Sequence, residues 1–225
     1  IEIQKHLRTM VDRNVDVAII EVSSQAMKLN RVTGCEFDVG LFTNLSEDHI
    51  SPKEHPSMED YFNCKLQLIK LAKHGVINND DEKVKTIKNL LPEKDIETFA
   101  MENEADFKVN PNNVEITDSY IDFSIMYKGK EERIEACIPG KFSVYNAAGA
   151  IAVASYFDVT ADEIRTALKD LRVLGRSELV PNKLGLTIMI DYAHTPSSLE
   201  SILTAVKSYA KGKIICAWGV GGDRD

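Results

Sequence analysis

The chain has 225 residues, with 27 Lys+Arg against 35 Asp+Glu and a formal net charge of −8. A hydrophobic fraction of 44% is that of a globular protein with a sizeable core, which excludes disordered, collagen-like and coiled-coil chains. The acidic balance argues against broad nucleic-acid binding but leaves room for a local basic pocket that takes an anionic small ligand. Cys35, Cys64, Cys137 and Cys216 stand far apart and form no C-x-x-C pair, so free thiols in a reducing cytoplasm are expected, not a zinc ribbon or a disulfide framework. No apolar run approaches the ~18 residues of a membrane span, and no basic stretch followed by an apolar one opens the chain. The chain starts at Ile1 and ends on Gly221-Gly222-Asp223-Arg224-Asp225, which follows an expected strand and leads nowhere. Both ends read as cut, and a fragment of a longer protein is expected.

In chain order, Ile3, Leu7, Met10 and Val11 repeat at helical spacing over 3–13. Val15 to Val22 is a short run rich in β-branched residues and reads as a buried parallel strand, as does Phe37 to Thr43. Between them, Ser23-Ser24-Gln25-Ala26-Met27 reads as a loop opening a short helix. Ser57 followed by Asp60 resembles a capping box for a helix to about Lys73, with Gly75 just past its end. Val76–Asn78 is a further strand candidate, and Lys83–Leu91 is helical in pattern until Pro92 stops it. After residue 95 the texture changes. Phe107–Val109, Val114–Thr117, Tyr120–Tyr127 and Glu132–Ile138 are short segments separated by Asn, Asp and Gly, as in antiparallel hairpins. Ser143–Phe157 is helical again, and Thr160 with Glu163 caps a helix to about Leu171. Then come a strand (Leu186–Ile190), a helix (Pro196–Ala210) with Thr195 as N-cap, and a strand (Lys213–Trp218). Strand–helix alternation with an antiparallel insertion predicts an α/β fold with a parallel sheet. The domain joint is expected near Gly175, giving domains 1–175 and 176–225.

Open parallel sheets bind ligands at the carboxyl ends of their strands. Three expected strand ends carry a carboxylate or imidazole beside small hydroxyls: Glu21-Val22-Ser23-Ser24, Thr43-Asn44-Leu45-Ser46-Glu47-Asp48-His49 and Asp191-Tyr192-Ala193-His194-Thr195-Pro196. Glu21 at the end of an apolar strand is costly to bury unpaired, which a cation, a helix cap or a bridge to Lys or Arg would each offset. Read by itself, His49 is a polar loop residue before it is a ligand, Asp48 a turn cap, Lys65 a solvated helix lysine and Arg31 a surface ion pair.

Those three segments occur in order with Tyr61-x-x-x-Lys65, Gly140-Lys141-Phe142-x-Val144-Tyr145-Asn146-Ala147, Gly175-Arg176-x-Glu178 and Gly221-Gly222-Asp223-Arg224-Asp225. Together they resemble the Mur ligase family over nearly the whole chain, and within it the type that adds the third residue of the peptidoglycan stem peptide. The resemblance implies a Mur ligase central domain with an antiparallel insertion, then the first part of a Rossmann-like α/β C-terminal domain. It implies a cytoplasmic, ATP-dependent amide-bond ligase of cell-wall synthesis acting through an acyl phosphate. Its partners would be UDP-N-acetylmuramoyl-dipeptide and an amino acid, diaminopimelate or lysine, with Mg2+ as cofactor, ATP as co-substrate and no nucleic acid or membrane.

By the same resemblance, the catalytic and magnesium positions are Glu21, His49 and Lys65, the lysine as a carbamate. A carboxylate oxygen suits that ion, imidazole is a less natural ligand for it, and an unmodified ammonium would repel it. Carbamylation needs a neutral amine, which partial burial favours. Ser23 and Arg31 match substrate positions, and a guanidinium forks onto phosphate or carboxylate. Asn146, Arg176 and Asp191 match residues around the purine, phosphates and ribose of ATP, with His194 close to the nucleotide. Arg176 would reach the γ-phosphate only when the domains close.

Some features depart from the pattern. The family's G-x-x-x-x-G-K-[ST] phosphate loop is absent from these 225 residues, so the chain alone is not expected to turn over ATP. Gln25 and Ser143 stand where relatives usually carry His and Asn. A folylpolyglutamate- or cyanophycin-type ligase, or a catalytically silent partner-binding module, are the competing expectations.

Overall fold

The computed structural model describes residues 2–47 and 49–219. They fall into two compact units, Ile1–Ile77 with Asp81–Glu97, and Asn78–Asp80 with Thr98–Asp225. Among the described residues, each unit has its own paired strands.

The first unit opens with helix α1 (Glu2–Asp12) and the short α2 (Ser24–Lys28). Strand β1 (Val39–Phe42), helix α3 (Met58–Leu71), strand β2 (His74–Asn78) and helix α4 (Val84–Leu90) follow. β1 and β2 are parallel, with Val39 opposite His74 and Phe42 opposite Ile77. A parallel pair needs a crossover, and α3 supplies it. The helix buries Phe62, Leu66 and Ile69, an i, i+4, i+7 stripe, in one cluster with Phe42, Ile77, Val84 and Ile87. Gly40 permits the close approach, since a β-carbon there would lie 3.0 Å from Ala72 Cβ and 3.2 Å from the Leu68 carbonyl. Ser57 caps α3 as expected, its hydroxyl accepting from the Asp60 amide. The far end differs from expectation: α3 stops at Leu71 through an extended Ala72, and Gly75 lies inside β2, where its amide bonds the Asp95 carbonyl.

In the second unit, strand β3 (Ile96–Ala100), which periodicity does not reveal, aligns Phe99 with Phe107 of β4 (Phe107–Ile116) in parallel. Strands β5 (Ile121–Tyr127) and β6 (Lys130–Ala136) complete an antiparallel meander, as the hairpin texture predicts. The two segments expected at 107–109 and 114–117 are one strand, interrupted by a register shift between Asn110 and Glu115 that accommodates Pro111. Helix α5 (Lys141–Ala154), rich in small residues, packs on β4 and β5, and α6 (Ala161–Lys169) packs on β6. Thr160 and Glu163 form the full reciprocal capping box of α6. Gly140 turns the chain into α5 at φ +100°, where any β-carbon would meet the Phe142 ring at 2.6 Å.

Two expected strands are not formed. Val15–Val22 forms no strand among the described residues, and Ile19 is 95% exposed. Lys213–Trp218 is likewise unpaired, with Ile215 80% exposed. A strand is defined by its neighbour's hydrogen bonds, so a β-branched run becomes one only where a partner lies alongside. Of Leu186–Ile190 only Met189–Ile190 is paired (β8), antiparallel to β7 (Glu178–Leu179). Helix α7 (Pro196–Tyr209) forms as expected, with Thr195 at the N-cap and Pro196 in its first turn. Asp48 and the Gly221–Asp225 motif lie outside the described residues.

Leu66 has no exposed surface and Leu71, on the same helix, is 56% exposed. Leu66→Ala is therefore expected to destabilise the protein by about 2–5 kcal/mol and Leu71→Ala by no more than about 0.5 kcal/mol. Urea denaturation of both variants checks the assignment of α3's buried face; equal losses would contradict it.

Candidate functional site

In the first unit the expected site residues flank α2, the loop after β1, and α3. Ser23 is the N-cap of α2, its hydroxyl accepting from the Ala26 amide at 3.1 Å. That bond gives Ser23 a structural duty alongside any contact with substrate. Glu21, two residues earlier, is exposed, not buried at a strand end, so no desolvation cost demands a partner there. Arg31 is also exposed, in the turn after α2, where its amide closes on the Ala26 carbonyl.

Lys65 and His49 are brought together on one aromatic ring. Lys65 Nζ lies 5.2 Å from the centroid of Tyr61, one helical turn earlier, and 5.6 Å from that of Phe42 at the end of β1. It also donates to the Asn44 carbonyl at 2.7 Å. His49 packs edge-on against the same Tyr61 ring at 5.8 Å, and its Nδ1 lies 3.0 Å from Glu54 Oε2. The backbone of His49 is left-handed at φ +59°, unusual for a residue with a side chain. The loop carrying these groups is pinned where Asp81 Oδ2 accepts from the Leu45 amide at 2.6 Å. Tyr61-x-x-x-Lys65 announces this pairing in the sequence, because i and i+4 share a helix face; Tyr61 itself escapes notice as a site residue.

The donor chemistry bears on magnesium. As an amine, Lys65 is a cation held by a carbonyl and two π faces, a setting that excludes a divalent ion. As a carbamate it would present anionic oxygens beside an imidazole and a carboxylate, His49 with Glu54. The residues present therefore fit a hard divalent cation on condition that Lys65 is modified.

In the second unit, Arg176, Asp191 and His194 gather around Tyr192. The Arg176 guanidinium lies 5.0 Å from the Tyr192 ring centroid, and the His194 ring meets that ring edge-on at 4.8 Å. His194 Nδ1 also lies 2.8 Å from the Tyr192 carbonyl oxygen. Asp191 is occupied: Oδ2 accepts from the Ser177 amide at 2.8 Å and Oδ1 from the Ala193 amide at 2.8 Å. Tyr192 is exposed, which leaves a flat aromatic surface flanked by a guanidinium and an imidazole. Asn146 is exposed on α5, on the turn anchored by its neighbour Tyr145. The Tyr145 hydroxyl donates to Asp80 Oδ2 at 2.9 Å, and the same carboxylate collects the amides of Met101, Glu102 and Asn103 at 2.7–2.9 Å. Burial alone would raise the Asp80 pKa, but those three amides and Tyr145 outweigh it and hold the carboxyl below its ordinary range. Burial first, then the Asp80 carboxylate, push the Tyr145 phenol upward. Asp80 carries no signal in the sequence beyond standing in an acidic turn.

The family model of the Mur ligase middle domain matches residues 1–154, and that of the Mur ligase, glutamate ligase domain matches residues 175–225. The chain belongs to the Mur ligases. It is 40% identical over its whole length to the UDP-N-acetylmuramoyl-L-alanyl-D-glutamate--2,6-diaminopimelate ligase of Clostridium botulinum, of which it covers 46%. A solved structure of a ligase of that name aligns over all of this chain and 46% of its own, with a TM-score of 0.79 and 25% identity. MurF ligase from Thermotoga maritima in complex with ADP aligns over 82% of this chain and 42% of its own, at a TM-score of 0.67; its 17% identity bears on the fold alone. The chain thus spans about half the length of the curated relatives it matches.

The Asp80 anchor has a pH signature. Its folded pKa is depressed, so its stabilisation is complete above the ordinary value of 3.8 and is lost as pH falls through the folded value. Asp80→Asn is expected to cost about 1–3 kcal/mol at neutral pH, with the gap to wild type closing in acid below pH 3.8. Denaturation across pH checks this; a gap that widens in acid would contradict it.

Proposed function

We propose that the protein carrying this chain is an ATP-dependent amide-bond ligase that joins 2,6-diaminopimelate to UDP-N-acetylmuramoyl-dipeptide in the cytoplasm, in cell-wall synthesis. The observation that carries this reading is full-length similarity of the chain, at 36–40% identity, to several ligases named for that substrate pair. In the same reading, residues 1–175 form the central domain and 176–225 begin the C-terminal one.

A carboxylate is a poor electrophile. Transfer of the γ-phosphoryl group of ATP to a carboxylate oxygen of the dipeptide gives an acyl phosphate and ADP. The amino group of diaminopimelate then attacks the acyl carbon, the C–O bond to phosphate breaks, and the amine proton is lost as the amide forms. Bound magnesium would neutralise charge on the transferring phosphoryl group. Glu21, His49 and the Lys65 carbamate would hold it. Carbamylation joins the neutral Lys65 amine to CO2 with loss of one proton, which reverses the sign of the group beside Tyr61. Ser23 and Arg31 would bind the nucleotide-linked substrate, the guanidinium on its anionic groups. Arg176 and His194, set around Tyr192, would face ATP, with Asn146 at its purine and Asp191 at its ribose. The bonds Asp191 already makes fix the turn that carries His194.

The test is phosphate release by the full-length protein with ATP, magnesium and UDP-N-acetylmuramoyl-dipeptide, offering diaminopimelate and lysine separately. Diaminopimelate is expected to support release and lysine is not. Lys65→Ala is expected to abolish it, and added short carboxylates to restore part of it. Normal turnover by Lys65→Ala would overturn the carbamate assignment, and preference for lysine would overturn the substrate.

A further inference from the structure

One polar cluster in the first unit is enclosed and unused by this mechanism. His55 has no exposed surface, in a chain segment otherwise rich in polar and exposed residues. Its Nδ1 lies 2.6 Å from Asp60 Oδ2 and its Nε2 lies 2.9 Å from the Ser24 hydroxyl. Lys28 Nζ donates to the same Asp60 oxygen at 2.8 Å and to the Glu54 carbonyl at 2.8 Å. Lys28 first, and His55 second, hold the Asp60 carboxyl below its ordinary range, so it accepts and Nδ1–H donates. In the neutral ring Nε2 then accepts the Ser24 proton.

The cluster has two superficial likenesses. Ser–His–Asp connectivity is that of a hydrolytic triad, but Ser24 is buried, so no substrate approaches its oxygen. His55, Asp60 and Cys64 have ligand atoms within 4.8 Å of one another, as in a metal site. There, however, Lys28 already neutralises Asp60, both imidazole nitrogens are engaged, and burial first, then Asp60, keep the Cys64 thiol protonated.

What the line of bonds does is join three segments. Ser24 opens α2 directly after Ser23, Asp60 lies in the first turn of α3 ahead of Lys65, and His55 closes the loop that His49 begins. The apolar contact between α2 and α3, Met27 and Val32 on Cys64, is small, and the doubly bonded imidazole adds directional bonds that hold the two helices in one register. We propose that His55 is a positioning residue that fixes the arm bearing Glu21 and Ser23 relative to the helix bearing Lys65. The inference rests on the reading that those residues form the ligase site. A shift of about 1 Å in such a site costs on the order of 10²-fold in rate.

The test uses the full-length protein, with kcat and KM measured per folded molecule. Ser24→Ala and His55→Gln are each expected to lower kcat/KM by about 10- to 100-fold, in kcat and in KM for the nucleotide-linked substrate. The double variant should lose no more than the worse single one, because both cut the same line. Ser24→Thr keeps the hydroxyl and should recover most activity. Should His55→Gln fail to fold, Ser24→Ala, which deletes one oxygen, decides alone. Variants that melt earlier but keep wild-type kcat and KM would overturn the inference. Lys65→Ala in the same assay separates the two levels: if it keeps normal turnover, the site assignment on which the inference rests fails; if it is dead while Ser24→Ala is fully active, only the positioning role fails.

Discussion

Helix α3 is constrained from two sides, and the first unit depends on how those constraints meet. One stripe, Phe62, Leu66 and Ile69, is sealed into the core beneath β1 and β2. The neighbouring stripe carries Asp60 and Cys64 toward α2, where Asp60 pairs with Lys28 and Met27, Val32 and Cys64 form a second small core. Lys65 falls between the stripes. With its helix unable to rotate, its ammonium is directed over Tyr61 and Phe42 onto the Asn44 carbonyl. The position of the proposed reactive lysine is thus a consequence of side-chain packing on either side of it.

Both units use carboxylates in the same way. Asp80 gathers three amides and a phenol, Asp191 takes the Ser177 and Ala193 amides, Asp81 takes those of Leu45 and Lys83, and Asp106 takes both the amide and hydroxyl of Thr98. A charged acceptor serving backbone donors makes stronger bonds than a neutral one and satisfies amides that loops would otherwise leave open. Part of the acidic excess of the chain therefore holds its turns in shape. The residues proposed to bind ATP stand beside two of these locks, Asn146 beside Tyr145 and Asp80, and Arg176 and His194 beside Ser177 and Asp191.

Local signals were legible wherever a residue's role depends on near neighbours in sequence. The caps at Ser57, Thr160 and Thr195, the i, i+4 pairing of Tyr61 with Lys65, and the meander of β4 to β6 all follow from spacing. Roles that depend on distant segments were not legible. His55 reads as one more polar loop residue until α2 and α3 close over it. Asp80 reads as a solvated turn until the chain returns 65 residues later with Tyr145. Val15–Val22 and Lys213–Trp218 show the converse: their composition is that of buried strands, yet pairing is a property of two segments, and no partner stands beside either among the described residues.

By itself the sequence determined the family, through ordered motifs; the α/β class, through alternating periodicities; and the choice of candidate site residues, through their match to those motifs. Tertiary structure alone decided which of those residues meet. It sets His49 and Lys65 on one tyrosine, gathers Arg176, Asp191 and His194 about another, leaves Glu21 exposed and buries His55 between two helices. The reason is one of range. Capping and helical pairing act within a few residues, where spacing records them, whereas burial and convergence are set by packing between segments far apart in the chain, which no local pattern encodes.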